Sequence, residues 1–278
     1  MVIHIMSTEL FKDANDILQS SCSAEDALHI FHTQYEKRVF DYLKAKYMRQ
    51  LDGWWKNYSL PLISETDRCI VLYETRCHSN LEFLIYNLTY FAQGWGLIIY
   101  CSVANYEFIT RILDHNRFKA MLHVVRNDEG GREVRDEYNA FVKSSVFWNS
   151  LPCKYVLMCE MDAYLRKPVP DSVIEYDYAC CSWPWYKDLP GGGGISIRTV
   201  RGMRRICNEL PDLSEKHFAQ DCWAAEGSVK LGLRWNNTYF VEAAHNIIDP
   251  VGFHNWWTFI DARSACTDRY DKYLTLEL

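Results

Sequence analysis

Glu160 and Asp162 flank a single methionine directly after the apolar run Tyr155–Cys159. In an extended chain, alternation puts both carboxylates on one side, with Met161 facing away. Two carboxylates at the carboxyl end of a strand can hold a hard divalent cation and a ribose; the plainer reading is a solvated turn. Further on, Gly191, Gly192, Gly193 and Gly194 precede Ile195-Ser196-Ile197-Arg198. Glycine permits positive φ and lets a ligand approach the main chain closely, and a run of four loses considerable chain entropy on ordering. It reads as a loop entering a strand, or as a flexible hairpin tip. Gln220-Asp221 lies in a helix-like stretch, where a lone Asp is either a catalytic base or a surface charge. Gly252-Phe253-His254-Asn255-Trp256-Trp257 sets an imidazole among aromatics, where it completes a metal site or simply packs. At the end of an early apolar run, Tyr73-Glu74-Thr75-Arg76 offers a guanidinium fork for phosphate and a carboxylate for a base or ribose hydroxyl; the alternative is an exposed loop.

The elements that must position these groups follow from periodicity. Short apolar runs at 69–73, 97–101, 121–125 and 155–159 have the character of buried strands. Between them, Leu81, Leu84, Ile85, Leu88 and Phe91 form a helical stripe. A second helix is expected over 105–114, and Val134, Tyr138, Phe141, Val142 and Ser145 mark a third helix face. Strands alternating with helices of this length imply an α/β fold, a mostly parallel sheet with helices on both faces, which binds ligands beyond the carboxyl ends of its strands. Residues 1–66 read as a helical N-terminal extension, with Phe40, Leu43, Tyr47 and Leu51 at helical spacing. Residues 67–278 form the main domain, with 67–165 as a nucleotide-binding half and 166–278, where strands shorten and Trp becomes frequent, as an acceptor half.

Composition excludes several classes. The 30 basic and 36 acidic residues give a net charge of −6 and no basic stripe, so nucleic acid is not an expected partner. Neither a dinucleotide G-x-G-x-x-G nor a P-loop motif is present. No apolar run approaches the ~18 residues of a membrane span, and no signal peptide is visible, which points to a cytoplasmic protein. The 11 cysteines are odd in number and lack CxxC spacing, as expected of reduced thiols; adjacent Cys180 and Cys181 belong to opposite strand faces.

The order of acidic pair, glycine loop, single Asp and late His resembles that of the GT-A (Rossmann-like) glycosyltransferases over about residues 68–260. A narrower pattern joins Val71-Leu72-Tyr73-Glu74-Thr75-Arg76, Glu160-Met161-Asp162, Tyr176-Asp177-Tyr178 and Trp183-Pro184-Trp185. It resembles the glycosyltransferase-like domain family of bacteria and large DNA viruses, and within it looks similar to the chlorovirus xylosyltransferases. In a viral protein the expected compartment becomes the host cytoplasm. Two positions depart from the pattern: Glu160 stands where the family often has Gln, and Gln220 where the superfamily's base motif usually has Glu.

The resemblance implies a UDP-sugar donor, a glycan acceptor, and Mn²⁺ or Mg²⁺ held by Asp162 and His254. It implies nucleotide contacts from Glu74, Thr75, Arg76, Glu160 and Asp162, and Asp221 as the base of an inverting displacement. Gly192, Gly193 and Gly194 would admit the sugars closely, and Trp183, Trp185, Trp223 and Trp256 are candidates to stack on them. The competing functions are a non-catalytic nucleotide-sugar or glycan-binding module, a metal-dependent sugar-nucleotide hydrolase, and a retaining transferase.

Overall fold

The computed structural model describes residues 10, 16–17, 23, 29–131, 133–183, 189–242, 249–259 and 272–278. The strands are β1 (Arg68–Tyr73), β2 (Gly96–Ser102), β3 (Met121–Arg126), β4 (Tyr155–Cys159), β5 (Ala163–Leu165), β6 (Tyr178–Ser182), β7 (Ile195–Thr199), β8 (Trp235–Val241) and β9 (Gly252–His254). They form one nine-stranded sheet in the order β3-β2-β1-β4-β7-β6-β8-β9-β5. The pairs β1–β2, β2–β3, β1–β4, β6–β8 and β8–β9 are parallel, while β7 runs antiparallel to both β4 and β6, and β5 to β9. The mostly parallel α/β sheet expected from the alternating pattern is therefore present.

Because successive strand residues face opposite ways, the sheet divides its apolar side chains between two cores. Ile70, Leu72, Leu97, Ile99, Leu157 and Cys159 face one way. Cys69, Val71, Ile98, Tyr100, Val156 and Met158 face the other. The first core is covered by α1 (Glu36–Trp55), α2 (Leu81–Phe91) and α3 (Val103–Leu113), the second by α4 (Glu133–Val142), α5 (Ser145–Ser150), α6 (Val200–Glu209) and α8 (Gln220–Lys230), with the short α7 (Leu213–Lys216) beside it. Burial on both sides explains why these strands read as continuous apolar runs. Cys180 lies in the second core and Cys181 in the first, on opposite faces as expected, and the nine described cysteines are free thiols.

Three local features differ from the periodicity reading. The helix expected over 105–114 starts at Val103, because Ser102 caps it by accepting from the Asn105 amide. The face drawn through Val134 to Ser145 is two helices, since Ser144 takes an extended conformation and accepts from the Phe147 amide to start α5. Glu160-Met161-Asp162 is a turn rather than extended chain, closed by the Ala163 amide on the Glu160 carbonyl at 3.1 Å. The turn carries the chain to β5 at the far edge of the sheet, and Met161 is buried in the first core.

The N-terminal stripe of Phe40, Leu43, Tyr47 and Leu51 is the buried face of α1. Phe40 meets Phe83, Tyr164 and Trp257 edge-on with centroids 5.9–6.0 Å apart. Residues 31–60 thus share a core with the sheet they were expected to extend. Among the described residues, no helix is long and apolar enough to cross a membrane. Removing the fully buried Phe40 ring by Phe40→Ala should lower unfolding stability by about 3–5 kcal/mol in urea titration. A loss under about 1 kcal/mol, the level of a surface change, would show that α1 is not integral to the core.

Candidate active site

Where the order 3-2-1-4 reverses, β1 and β4 lie side by side in parallel, with Leu72 opposite Cys159. Crevices at such reversals, outside the carboxyl ends, are where ligands bind in open α/β sheets. Glu74-Thr75-Arg76 leaves β1 at this point and Glu160 leaves β4. The Glu74 carboxylate is buried and takes a two-pronged contact from Arg76, Nε at 2.9 Å and Nη2 at 2.8 Å, plus the Arg76 amide at 2.8 Å. Thr75 is buried, its hydroxyl donating to the Glu129 carbonyl at 2.7 Å. This turn is tied to itself, with the exposed guanidinium as its outward group.

The centre of the site is His254. Its Nε2 lies 3.3 Å from Asp162 Oδ1 and 3.6 Å from Glu160 Oε2, while Nδ1 faces Glu242 Oε1 at 3.5 Å. Backbone pairing fixes this meeting: Ala163 pairs with His254 across β5 and β9, and the Asn255 amide donates to the Asp162 carbonyl at 3.0 Å. Asn255 adopts φ +48°, a left-handed conformation that Asn tolerates better than most residues. Burial opposes a charge on His254, but Asp162 and Glu242 outweigh it and hold the imidazole pKa well above its ordinary value. Burial would likewise raise the Asp162 carboxyl, and the charged His254 outweighs it and holds that pKa low.

The glycine run lies across these groups, and it is buried, which excludes a flexible hairpin tip. The Cys181 amide donates to the Gly192 carbonyl at 2.9 Å and the Glu160 amide to the Gly194 carbonyl at 2.7 Å. None of the four glycines has positive φ; space is what demands them. A Cβ on Gly192 would lie 1.9 Å from Glu242 Oε2, one on Gly193 2.3 Å from Arg198 Nη2, and one on Gly194 2.2 Å from His254 Nε2. The backbone here approaches the site's own side chains closely.

Asp221 sits in the first turn of α8 and accepts from the Cys222 amide at 2.7 Å. A carboxylate there is favoured by the helix dipole. Burial nevertheless raises its pKa, the Cys222 amide opposes this, Glu160 and Glu242 raise it further, and Arg198 pulls it down. Gln220, at the position that departs from the resemblance, is buried and accepts from Arg198 Nη2. Arg198 is fully buried, donates from Nε to Ser196 Oγ at 3.0 Å and stacks over Tyr178 at 5.3 Å.

Trp183 is half-buried, and its Nε1 donates to Glu242 Oε2 at 3.2 Å. Trp185 lies outside the described residues. Trp223 and Trp256 are core residues, 1% and 0% exposed, and present no ring face to a sugar; each sits where its helix or turn packs onto the sheet. Glu242 and Arg198 are the site groups that sequence reasoning did not select. Arg198 had a signal, a charge on an apolar strand beside the glycines, whereas Glu242 had none. His32, in the π-helical turn Phe31–Tyr35 ahead of α1, is held above its ordinary pKa by Glu36, against burial, and also senses Asp162. A depression of about 580 Å³ lined by Asp67, Arg68, Gly94 and Trp95 lies at the opposite, amino ends of the strands and includes none of the candidate residues.

The Glu160, Asp162 and His254 ligand atoms all lie within 4.8 Å of one another. Two carboxylates and one imidazole suit a divalent cation such as Mn²⁺. Glu160, Asp162, Glu242 and Asp221 also outnumber the nearby cationic groups His254 and Arg198, so added positive charge fits the site.

Comparison with known proteins yields a partial family match and remote structural likenesses. A family described as a protein of unknown function (DUF5672) matches residues 122–239, which include Glu160, Asp162, the glycine run and Asp221. No curated protein matches the sequence. The crystal structure of mouse xyloside xylosyltransferase 1, apo form, is similar at a TM-score of 0.49 and 10% identity, covering 70% of this chain and 100% of that one. The apo-form glycosyltransferase GlyE of Streptococcus pneumoniae gives 0.48 and 12%, over 75% of this chain and 64% of its own. A second GlyE structure gives 0.47 and 10%, over 75% and 65%.

Gly194→Ala should displace the His254 ring while leaving the sheet folded. Mn²⁺ affinity, followed by electron paramagnetic resonance, should fall at least about tenfold, as loss of ligand orientation does. Unchanged affinity would show that the ring does not need this clearance.

Proposed function

We propose that this chain is a metal-dependent, inverting glycosyltransferase that moves a sugar from a UDP-sugar to a hydroxyl of a glycan. One observation carries the reading. Segments that resemble the GT-A hallmarks in sequence order, and that lie almost a hundred residues apart, converge on His254 at the carboxyl end of the sheet. Asp162 and His254 would hold Mn²⁺ or Mg²⁺, with Glu160 as a further ligand or a ribose contact. The cation, when bound, supplies Lewis-acid neutralisation of the departing diphosphate.

The chain's own groups account for the rest. Asp221, across Gly193 from Arg198, is the base: it accepts the proton of the acceptor hydroxyl as that oxygen bonds to the anomeric carbon. The bond from the anomeric carbon to the diphosphate oxygen breaks on the opposite face, and the nucleoside diphosphate leaves. A carboxylate with a raised pKa is a better base than an ordinary one, and Asp221 gains that property first from burial. The buried glycine run lets Glu242, Arg198 and His254 pack directly on the main chain, which holds the reacting groups in place. Glu74-Thr75-Arg76 would meet the nucleotide, with Glu74 holding one edge of the Arg76 guanidinium and the exposed remainder turned toward phosphate. Half-buried Trp183 is the described tryptophan best placed to meet a sugar.

The test is release of nucleoside diphosphate from a nucleotide-sugar panel, UDP-xylose included, with Mn²⁺ or chelator, followed by a glycan acceptor. Cation-dependent turnover that increases with acceptor and forms a glycosidic product is expected. Turnover to free sugar that no acceptor increases would instead indicate a hydrolase, and donor binding without turnover a binding module. Asp221→Asn should lower kcat by about 10²–10⁴-fold with donor affinity retained; near-normal transfer would remove Asp221 from the base role. Since the base acts deprotonated, the wild-type rate should rise with pH through an apparent pKa above the ordinary Asp value of about 3.9. A rate already at its plateau at that pH would contradict the raised value.

A further inference from the structure

Glu242 follows directly after β8 and faces the side of His254 away from Asp162 and Glu160. Its side chain is 13% exposed and the imidazole 10%. Its two oxygens point to different partners: Oε1 lies 3.5 Å from His254 Nδ1, and Oε2 accepts from Trp183 Nε1 at 3.2 Å. His254 Nδ1 is itself buried and has no hydrogen-bond partner among the described residues. The space Glu242 occupies is kept open by Gly192, where a Cβ would lie 1.9 Å from Oε2.

A ligating imidazole presents one nitrogen to the ion and needs an acceptor for the hydrogen on the other, which fixes the tautomer and the ring plane. We propose that Glu242 is the positioning residue of the metal centre: it takes the Nδ1 hydrogen of His254 and thereby directs the Nε2 lone pair toward Asp162 and Glu160. Trp183 holds the second carboxylate oxygen, so the line runs from indole to carboxylate to imidazole to cation. This inference rests on the metal-site reading above.

A different arrangement is also close by, because Cys181, Glu242 and His254 form a second group of ligand atoms within 4.8 Å of one another. An ion there would sit on the Nδ1 side, with Glu242 as a direct ligand. The Cys181 thiol is already engaged, donating to the Ile195 carbonyl at 3.7 Å, and the Nε2 side offers two carboxylates in its place. The geometry therefore favours Glu242 as the orienting group.

The experiment is Mn²⁺ titration of the full chain by electron paramagnetic resonance, with Tm recorded for each variant. Wild type, Asp162→Ala, Glu242→Gln, Gly192→Ala and Cys181→Ser are compared. Glu242→Gln keeps the shape and should leave Tm unchanged while weakening Mn²⁺ binding about 10–100-fold, as loss of such partners does. The defect is read as metal affinity in the titration itself, with Tm reporting that the fold is intact. Gly192→Ala, which displaces Glu242 without removing a charge, should weaken binding in the same direction, and Cys181→Ser should not. Binding lost in Asp162→Ala but retained in both Glu242→Gln and Gly192→Ala would overturn the role of Glu242 alone. Binding equal in wild type, Asp162→Ala and Glu242→Gln would overturn the metal-site reading with it. Weakened binding in Cys181→Ser, with a thiolate-to-metal charge-transfer band in the Co²⁺ complex, would place the ion on the Nδ1 side and contradict the proposal.

Discussion

Three carboxylates gathered around one buried imidazole, with a fourth close behind them, is an arrangement that a folded chain does not hold without compensation. Like charges close together in a low-dielectric setting repel strongly. Here Glu160, Asp162, Glu242 and Asp221 are balanced, among the described residues, chiefly by His254 and the fully buried Arg198. The balance falls on His254, whose pKa the carboxylates hold well above its ordinary value. A divalent cation would relieve the same imbalance. On this account, proton and cation compete for one position, and the rest of the site is organised around it.

Sheet and glycine run each serve that concentration of charge. Parallel pairing of β1 and β4 brings the ends carrying Glu74 and Glu160 together, and the β5–β9 pair fixes Asp162 against His254. The glycines then let the main chain pass between Glu242, Arg198 and His254 at distances no Cβ would allow. Arg198 is held by Ser196, Gln220 and the Tyr178 ring, so its charge stays beside Asp221 without forming a direct ion pair with it. The glutamine at 220 has a clear consequence: a neutral amide there satisfies the guanidinium hydrogen without adding another negative charge.

β1, β2 and β4 were legible from the sequence because burial on two faces turns them into uninterrupted apolar runs, and Leu81 to Phe91 showed the stripe of a helix packed on the sheet; β3 read as a buried strand too, but it is the edge strand, with Val124 and Val125 exposed. Chain breaks set by a single side chain were less visible. Ser144 divides one helical face into two helices, and Ser102 starts α3 early, both through hydrogen bonds that periodicity does not register. At the site, Glu160, Asp162, Asp221 and His254 stood out by type and order. Their convergence depends on β7 inserting antiparallel beside β4 and on β9 pairing with β5, long-range pairings with no local signature. Glu242 was invisible for that reason: it is one acid among 36 acidic residues until β8 places it against His254. Trp223 and Trp256 misled in the opposite sense, since a core indole and a sugar-stacking indole look alike in sequence.

The most direct test of the central claim is the position of the cation. Crystals grown with Mn²⁺ and UDP should show one strong anomalous peak in the crevice between His254 Nε2, Asp162 and Glu160, with the diphosphate oxygens on its open side. A peak confined to another part of the molecule, or UDP bound in this crevice with no anomalous signal beside it, would contradict the account.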